Sequence, residues 1–369
     1  MASNSDSQTP SNLPPTRYFD QLPTELLQTV FENLNDLPRS QESQNTLLSL
    51  CLTSKLCRLH AQPLLLKCIR TMIGAKQDVL KLLVENNSDA TLAMVQTLLL
   101  DKEKLKNIVK WLKKFVQMAS SLREVFLTDE LPALKVFIGT NITTLSLAFV
   151  DIKLNSLFSL PELARLALKL CRYGEDGLNF RLPKLRHLAL FRSGPILSNH
   201  EKSLLGRLAP QLVSLTVYLA NEPALPVEIS TSSSLSILFE FYPTQEEPPT
   251  LERIRHLGIP LNRNQPNSRP ANHTGELAGL VAWTKLIPTT NHQLETLTLT
   301  SFREAGGEIN THPRPLALIP ALLDACRDRN VEVIWDVRSG FRAFDDLVPP
   351  TFIQRSETRH ARLKAGGSQ

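Results

Sequence analysis

The 369-residue sequence has no run of roughly 18 uninterrupted apolar residues, so it offers no transmembrane helix. It has only five cysteines, Cys51, Cys57, Cys68, Cys171 and Cys326, with no CxxC pair and no Cys/His cluster. Neither a zinc site nor a disulfide framework is expected, and reduced, mostly buried thiols suit a cytoplasmic or nuclear protein. Aromatics are 6% of the chain and the net charge is a mild +5. No dense basic block with interleaved aromatics occurs, so no nucleic acid partner is expected. There is no GxxxxGK[ST] loop, no GxGxxG, no HExxH and no GxSxG; Gly306-Gly307 is an isolated pair. The expectation is a chain that is not an enzyme and needs no metal or cofactor. Met1 to Pro15 is rich in Ser, Asn, Gln and Pro without an apolar h-region, and residues 1–16 read as a disordered lead, not a signal peptide.

The chain does contain leucine in two patterns. The first lies in residues 17–68. Pro23 suits a first helical position, where the missing N–H is not needed. Leu26, Leu27, Val30, Phe31 and Leu34 then form an apolar stripe on a helix. Asn35-Asp36-Leu37-Pro38 predicts a turn, Leu47, Leu48, Leu50 and Leu52 a second helix, and Thr53 or Ser54 caps a third that ends before Pro63. Three short helices carry more apolar surface than so small a unit can bury, which is what an interface needs.

The order Leu22-Pro23-x-Glu25-Leu26-Leu27-x-x-Val30-Phe31-x-x-Leu34, the leucine helix, and Ser54-Lys55-x-x-Arg58 leading to Pro63-Leu64-Leu65 resembles the F-box, particularly its fungal forms. The resemblance implies docking on the Skp-family adaptor of a cullin–RING ubiquitin ligase. Carried over, the adaptor contacts are Leu22, Pro23, Leu26, Val30, Leu34, Leu50 and Leu59. The chain departs from many F-boxes in having Lys55-Leu56-Cys57-Arg58 where they place a Trp.

The second pattern is Leu-x-x-Leu-x-Leu, with Ile and Val allowed. It starts at Val95, Leu122, Ile142, Leu163, Leu185, Leu212, Ile254 and Leu294, and the steps from 95 to 212 are 27, 20, 21, 22 and 27 residues. Those spacings fall in the range of leucine-rich repeats. Pro161, Pro183 and Pro210 each stand two residues ahead of a start. Each repeat would contribute a strand whose triplet leucines point inward, and neighbours must stack to cover its edges. The match at Leu235/Leu238 is poor, and Ile254 to Leu294 is a long gap. Residues 102–119 read as a return helix with Leu105, Ile108, Val109, Leu112, Phe115 and Val116 inward and its lysines mostly solvated. Residues 331–335 read as a last strand, preceded by a helix over 319–326, and residues 341–369 as a largely disordered tail.

The predicted fold class is therefore α/β: a three-helix F-box at 17–68, then an irregular leucine-rich-repeat solenoid over 69–340 with a parallel β-sheet on its concave face. Arg165, Arg186, His187, Arg255 and His256 occupy positions between the leucines, beside Thr143, Thr144 and Ser146. Such a strip suits an acidic or phosphorylated segment, because guanidinium pairs bidentately with carboxylate or phosphate. The functional expectation is the substrate-recognition subunit of an SCF-type ubiquitin ligase. Its partners are the adaptor, cullin and RING subunits through it, and a substrate protein, with no membrane. The alternative is a leucine-rich scaffold or signalling protein whose N-terminal helices cap the solenoid; a hydrolase or transferase with a scattered site is a third reading.

Overall fold

A computed structural model describes residues 23, 25–26, 29–31, 41–71, 79–100, 108–128, 132–152, 158–173, 180–191, 199–219, 234–241, 254–260, 293–302, 313–338 and 344–366. The chain divides into two compact units, Met1–Leu65 and Leu66–Gln369.

In the first unit, residues 25–26 and 29–31 are helical, followed by α1 (Gln41–Thr53) and α2 (Lys55–Lys67). Ser54 caps α2, its hydroxyl accepting from the Cys57 N–H at 3.1 Å. The helix does not stop before Pro63 as expected. It runs on to Lys67 with Pro63 inside it, where packing of Leu64 and Leu65 against the core offsets the lost backbone bond and the clash that an interior proline brings. The core is small: Phe31, Leu47, Cys51, Cys57 and Ala61, with Leu50, Leu56, Leu64 and Leu65 against it. Phe31 stacks on His60 at 5.5 Å, and Arg58 Nε donates to the Cys51 carbonyl at 3.0 Å.

The second unit is an α/β structure built on an eleven-stranded sheet, parallel throughout and compatible with an α/β solenoid. Its strands are β1 (Cys68–Thr71), β2 (Thr97–Leu100), β3 (Glu124–Thr128), β4 (Thr144–Ala148), β5 (Arg165–Lys169), β6 (His187–Phe191), β7 (Ser214–Leu219), β8 (Ser236–Phe241), β9 (His256–Pro260), β10 (Thr296–Phe302) and β11 (Glu332–Arg338). They lie side by side in chain order. The connecting helices are α3 (Val79–Asn86), α4 (Asp89–Leu92), α5 (Ile108–Met118), α6 (Asn199–Leu208) and α7 (Pro313–Asp328). The chain closes with α8 (Phe344–Leu347) and α9 (Pro350–Gly366).

Alternation along each strand sorts side chains by sheet face. Leu98, Val125, Leu145, Leu166, Leu188, Leu215 and Ile237 align across the sheet, while Leu257 and Leu297 continue the next row, through Phe239 from Val217; the leucines of both rows join one continuous core. The first residue of several triplets enters through a tight turn. Leu163, Leu185 and Leu212 donate to the carbonyls of Leu160, Leu182 and Ala209 at 3.3, 3.2 and 3.2 Å. Pro161, Pro183 and Pro210 thus take the second position of a turn, where a φ near −65° is required. Val95 and Leu122 make the same bond without a proline.

Three segments depart from the sequence expectation. β1 pairs with β2 although no triplet announces it. β8 uses Ile237 and Phe239 opposite Leu215 and Val217, and Leu238 faces the other way. The poor match at Leu235/Leu238 has this cause: Leu235 still joins the leucine core, but Leu238 is one residue out of phase, and a slip of one moves a side chain to the opposite face. Residues 350–366 are not a disordered tail but α9, with Phe352, Ile353 and Ser356 buried. The strand and helix expected near 331–335 and 319–326 are longer, as β11 and α7. Of the 102–119 helix, Ile108–Met118 is described, with Leu112 and Phe115 buried.

Gly258 in β9 has a reason to lack a side chain: an added Cβ would stand 2.7 Å from Cγ of Glu240, which is itself buried. The Cγ is tethered two bonds from its backbone and has little room to yield. Gly258→Ala is expected to lower stability by about 1–3 kcal/mol through overpacking, measurable as a reduced midpoint in urea at unchanged slope.

Candidate functional site

Two surfaces stand out. The first belongs to the unit 1–65. Beside its small core, Leu26 (54% exposed), Val30 (46%), Leu48 (49%), Leu52 (73%) and Leu59 (70%) face solvent. Of the residues expected to bind the adaptor, Pro23, Leu26, Val30 and Leu59 are exposed. Leu50 is half-buried against the core instead, and Leu22 and Leu34 lie outside the described residues. In the Lys55-Leu56-Cys57-Arg58 stretch, Cys57 is buried.

The second surface is the sheet face opposite the leucines. Its residues are mostly small or polar. One cross-strand row reads Thr144, Arg165, His187, Ser214, Ser236; the next reads Ser146, Ala167, Ala189, Thr216, Leu238, His256, Thr296. Several rungs are tied by side chains across neighbouring strands. Thr97 donates to Glu124 at 3.0 Å, His187 Nδ1 bonds the Ser214 hydroxyl at 2.8 Å, and His256 Nδ1 bonds the Thr296 hydroxyl at 2.9 Å.

This face is not open, as the sequence suggested, but carries α8 and α9. Phe344, Leu347, Val348, Phe352 and Ile353 form an apolar cluster with Ala167, Ala189, Phe191 and Leu238. Around it lie two ion pairs, Arg165 with Asp345 at 3.1 Å and Arg186 with Glu357 at 2.5 Å, and a hydrogen bond of 2.9 Å between His187 Nε2 and the other Glu357 oxygen. Arg165 also stacks on Phe344 at 5.9 Å, His256 meets the edge of Phe352 at 5.5 Å, and Arg355 grips Glu332 bidentately. Arg255 lies 3.9 Å from Glu295. The five residues expected to hold a substrate therefore sit along one face, and four of them contact the chain's own C-terminal helices.

Both histidines of this strip are buried, at 4% and 7% exposure. Burial depresses them to about 4. The Arg165 and Arg186 charges add to this at His187 while Glu357 opposes it, and Arg359, Arg255 and Arg355 add to it at His256. At neutral pH both rings are uncharged. Burial likewise pushes the thiols of Cys171 and Cys326 up to about 12 and 11, which makes them poor nucleophiles.

Ser214, His187 and Glu357 have the membership of a hydrolytic triad, yet the order of access is reversed. The hydroxyl is buried in the sheet, and the carboxylate is the solvent-facing end. Acyl transfer needs the opposite, an accessible nucleophile backed by a buried acid. The trio works as a clamp that fixes α9 to β6. Spacing along the chain held no sign of it, because Glu357 lies 170 residues from His187.

No group of three or more potential metal ligands occurs among the described residues, and no described helix is long and apolar enough to cross a membrane. The chain matches no protein-family model, no curated protein and no solved structure. The class that its own geometry defines is an α/β protein on an eleven-stranded parallel sheet, preceded by a separate helical unit.

Proposed function

We propose that the chain is the substrate-recognition subunit of an SCF-type cullin–RING ubiquitin ligase. Residues 17–68 dock as an F-box on the Skp-family adaptor, and the following solenoid holds the protein to be modified. The chain performs no chemistry in this reading; it raises the effective concentration of a substrate lysine near a ubiquitin-loaded partner. The observation that carries the reading is the row of large apolar side chains left in solvent on the N-terminal helices, Leu26, Val30, Leu48, Leu52 and Leu59. A unit whose core holds five buried residues gains by covering them on a partner.

The sheet supports the leucine-rich-repeat part of the proposal. β5 and β11 are separated by five other strands, about 29 Å across a flat sheet. Phe344 opens the helix that lies over β4 and β5, and only residues 339–343 join it to Arg338 at the end of β11. That stretch spans about 22 Å at full extension. A sheet curved toward α8 and α9 makes the chord shorter than the arc, which is the geometry of a solenoid with a concave polar face.

The adaptor reading is tested by immobilising the Skp-family adaptor and passing over it the wild-type chain and Leu26→Asp/Leu59→Asp. Both residues are exposed, so the variant keeps its fold. The wild type is expected to bind, and the variant to bind at least tenfold more weakly. Absence of wild-type binding, or equal binding by both proteins, overturns the proposal.

A further inference from the structure

The polar sheet face and its resident helices together describe a ligand. We infer that the face over β5–β8 is a docking surface for an amphipathic helix bearing carboxylates, and that residues 344–366 occupy it until such a helix in a partner displaces them. The observation is the chemistry of the occupant. Its apolar side chains come from both helices and their junction, Phe344 and Leu347 on α8, Val348 just after it, and Phe352 and Ile353 in the first turn of α9, and they seat on Ala167, Ala189, Phe191 and Leu238. Its carboxylates, Asp345 and Glu357, meet Arg165, Arg186 and His187. Alanines at two adjacent rungs let a helix approach the strands closely.

Several features make this occupant exchangeable. Its apolar cluster is distinct from the main leucine core. Its two arginine–carboxylate pairs are shallow, with side-chain exposures of 38% and 50% for Arg165–Asp345 and 47% and 37% for Arg186–Glu357, and such pairs hold weakly, which leaves the bond from the buried His187 to Glu357 as the deeper polar tie. In the same cross-strand row, the Ser146 and Thr216 hydroxyls are buried without a hydrogen-bond partner. A buried unsatisfied hydroxyl disfavours the closed arrangement. The segment therefore has two arrangements, seated and released, and a competing helix shifts the population by its own affinity for the face. The inference concerns only residues 66–369 and stands whether or not the adaptor reading does.

The test uses the full chain with a protease site introduced at 339–343 and cut after folding. The probe is a fluorescent peptide that keeps Phe344, Asp345, Leu347, Val348, Phe352, Ile353 and Glu357 and has Ala or Lys elsewhere. The peptide is expected to bind the cut chain at least tenfold more tightly than the uncut chain. A peptide with Glu357→Lys loses tenfold or more, and regains binding to a cut chain carrying Arg186→Glu. If the cut chain does not stay folded, uncut Phe352→Ala/Glu357→Ala supplies the second measurement, with an expected tenfold gain in peptide affinity. Equal binding to intact and loosened chains, no binding to either, or conversion of the cut protein into a dimer that excludes the peptide would overturn the inference.

Discussion

Leu188→Asp is expected to abolish the cooperative thermal transition of residues 66–369, whereas Leu59→Asp leaves it within about 0.5 kcal/mol of the wild type. Leu188 lies in the middle of the leucine face, 1% exposed, between Leu166 and Leu215 on neighbouring strands. Truncating such a residue costs about 2–5 kcal/mol in lost transfer and cavity terms. The carboxylate adds several kcal/mol more for desolvation among the leucines. A stacked sheet magnifies the damage, because each strand is covered only by its neighbours and loss of the centre leaves two unsealed ends. Leu59, at 70% exposure, loses little by becoming Asp. Circular-dichroism melts with size-exclusion chromatography check both variants. A Leu188→Asp protein that melts like the wild type would show that the leucine face is not the core.

Acidification is the second large effect. His187 and His256 stand at about 4 in the folded protein, against an ordinary value of 6.5. The unfolded chain takes up protons near pH 6.5, while the folded chain resists until near pH 4. Stability is thus unaffected by these rings above pH 6.5 and falls as pH drops toward 4, by roughly 3 kcal/mol per ring at full effect. The groups facing the rings set the balance. Arg165 and Arg186 oppose a charge on His187 and Glu357 favours it, whereas Arg255, Arg355 and Arg359 all oppose one on His256. Arg355 also holds the Glu332 carboxyl below its usual range, and that contribution is lost only in stronger acid. Thermal midpoints measured from pH 7 to 4 should fall steeply below 6.5, and His187→Gln/His256→Gln should flatten the curve. An unchanged slope in the double variant would assign the acid response to the carboxylates.

Much of the fold was legible because its signal is local. A leucine three residues and then five residues after another predicts which face of a strand is buried, and eight of the eleven strands follow from that spacing. Proline two residues ahead of the start predicts the turn, since its fixed φ acts within four residues. β8 escaped where Ser234 stands in place of a leading leucine, and β1 where a strand follows directly on α2. The arginines and histidines of the polar face were identifiable as a group, because alternation puts residues between leucines on the other side of the sheet.

What covers that face was not legible. Residues 344–366 carry few apolar residues and many charges, a composition that by itself reads as a tail. Their helix is stabilised by contacts with β4 to β11, formed by residues up to 180 positions away. The sequence by itself determined the leucine core, the parallel strand order and the apolar excess of the first unit, all products of short-range periodicity and hydrophobic burial. The tertiary structure decided that His187 and His256 are buried, that Ser214 is sealed beneath an imidazole, and that the arginine face is already occupied. Each of those facts depends on one distant segment returning across the sheet, and no spacing along the chain encodes where it lands.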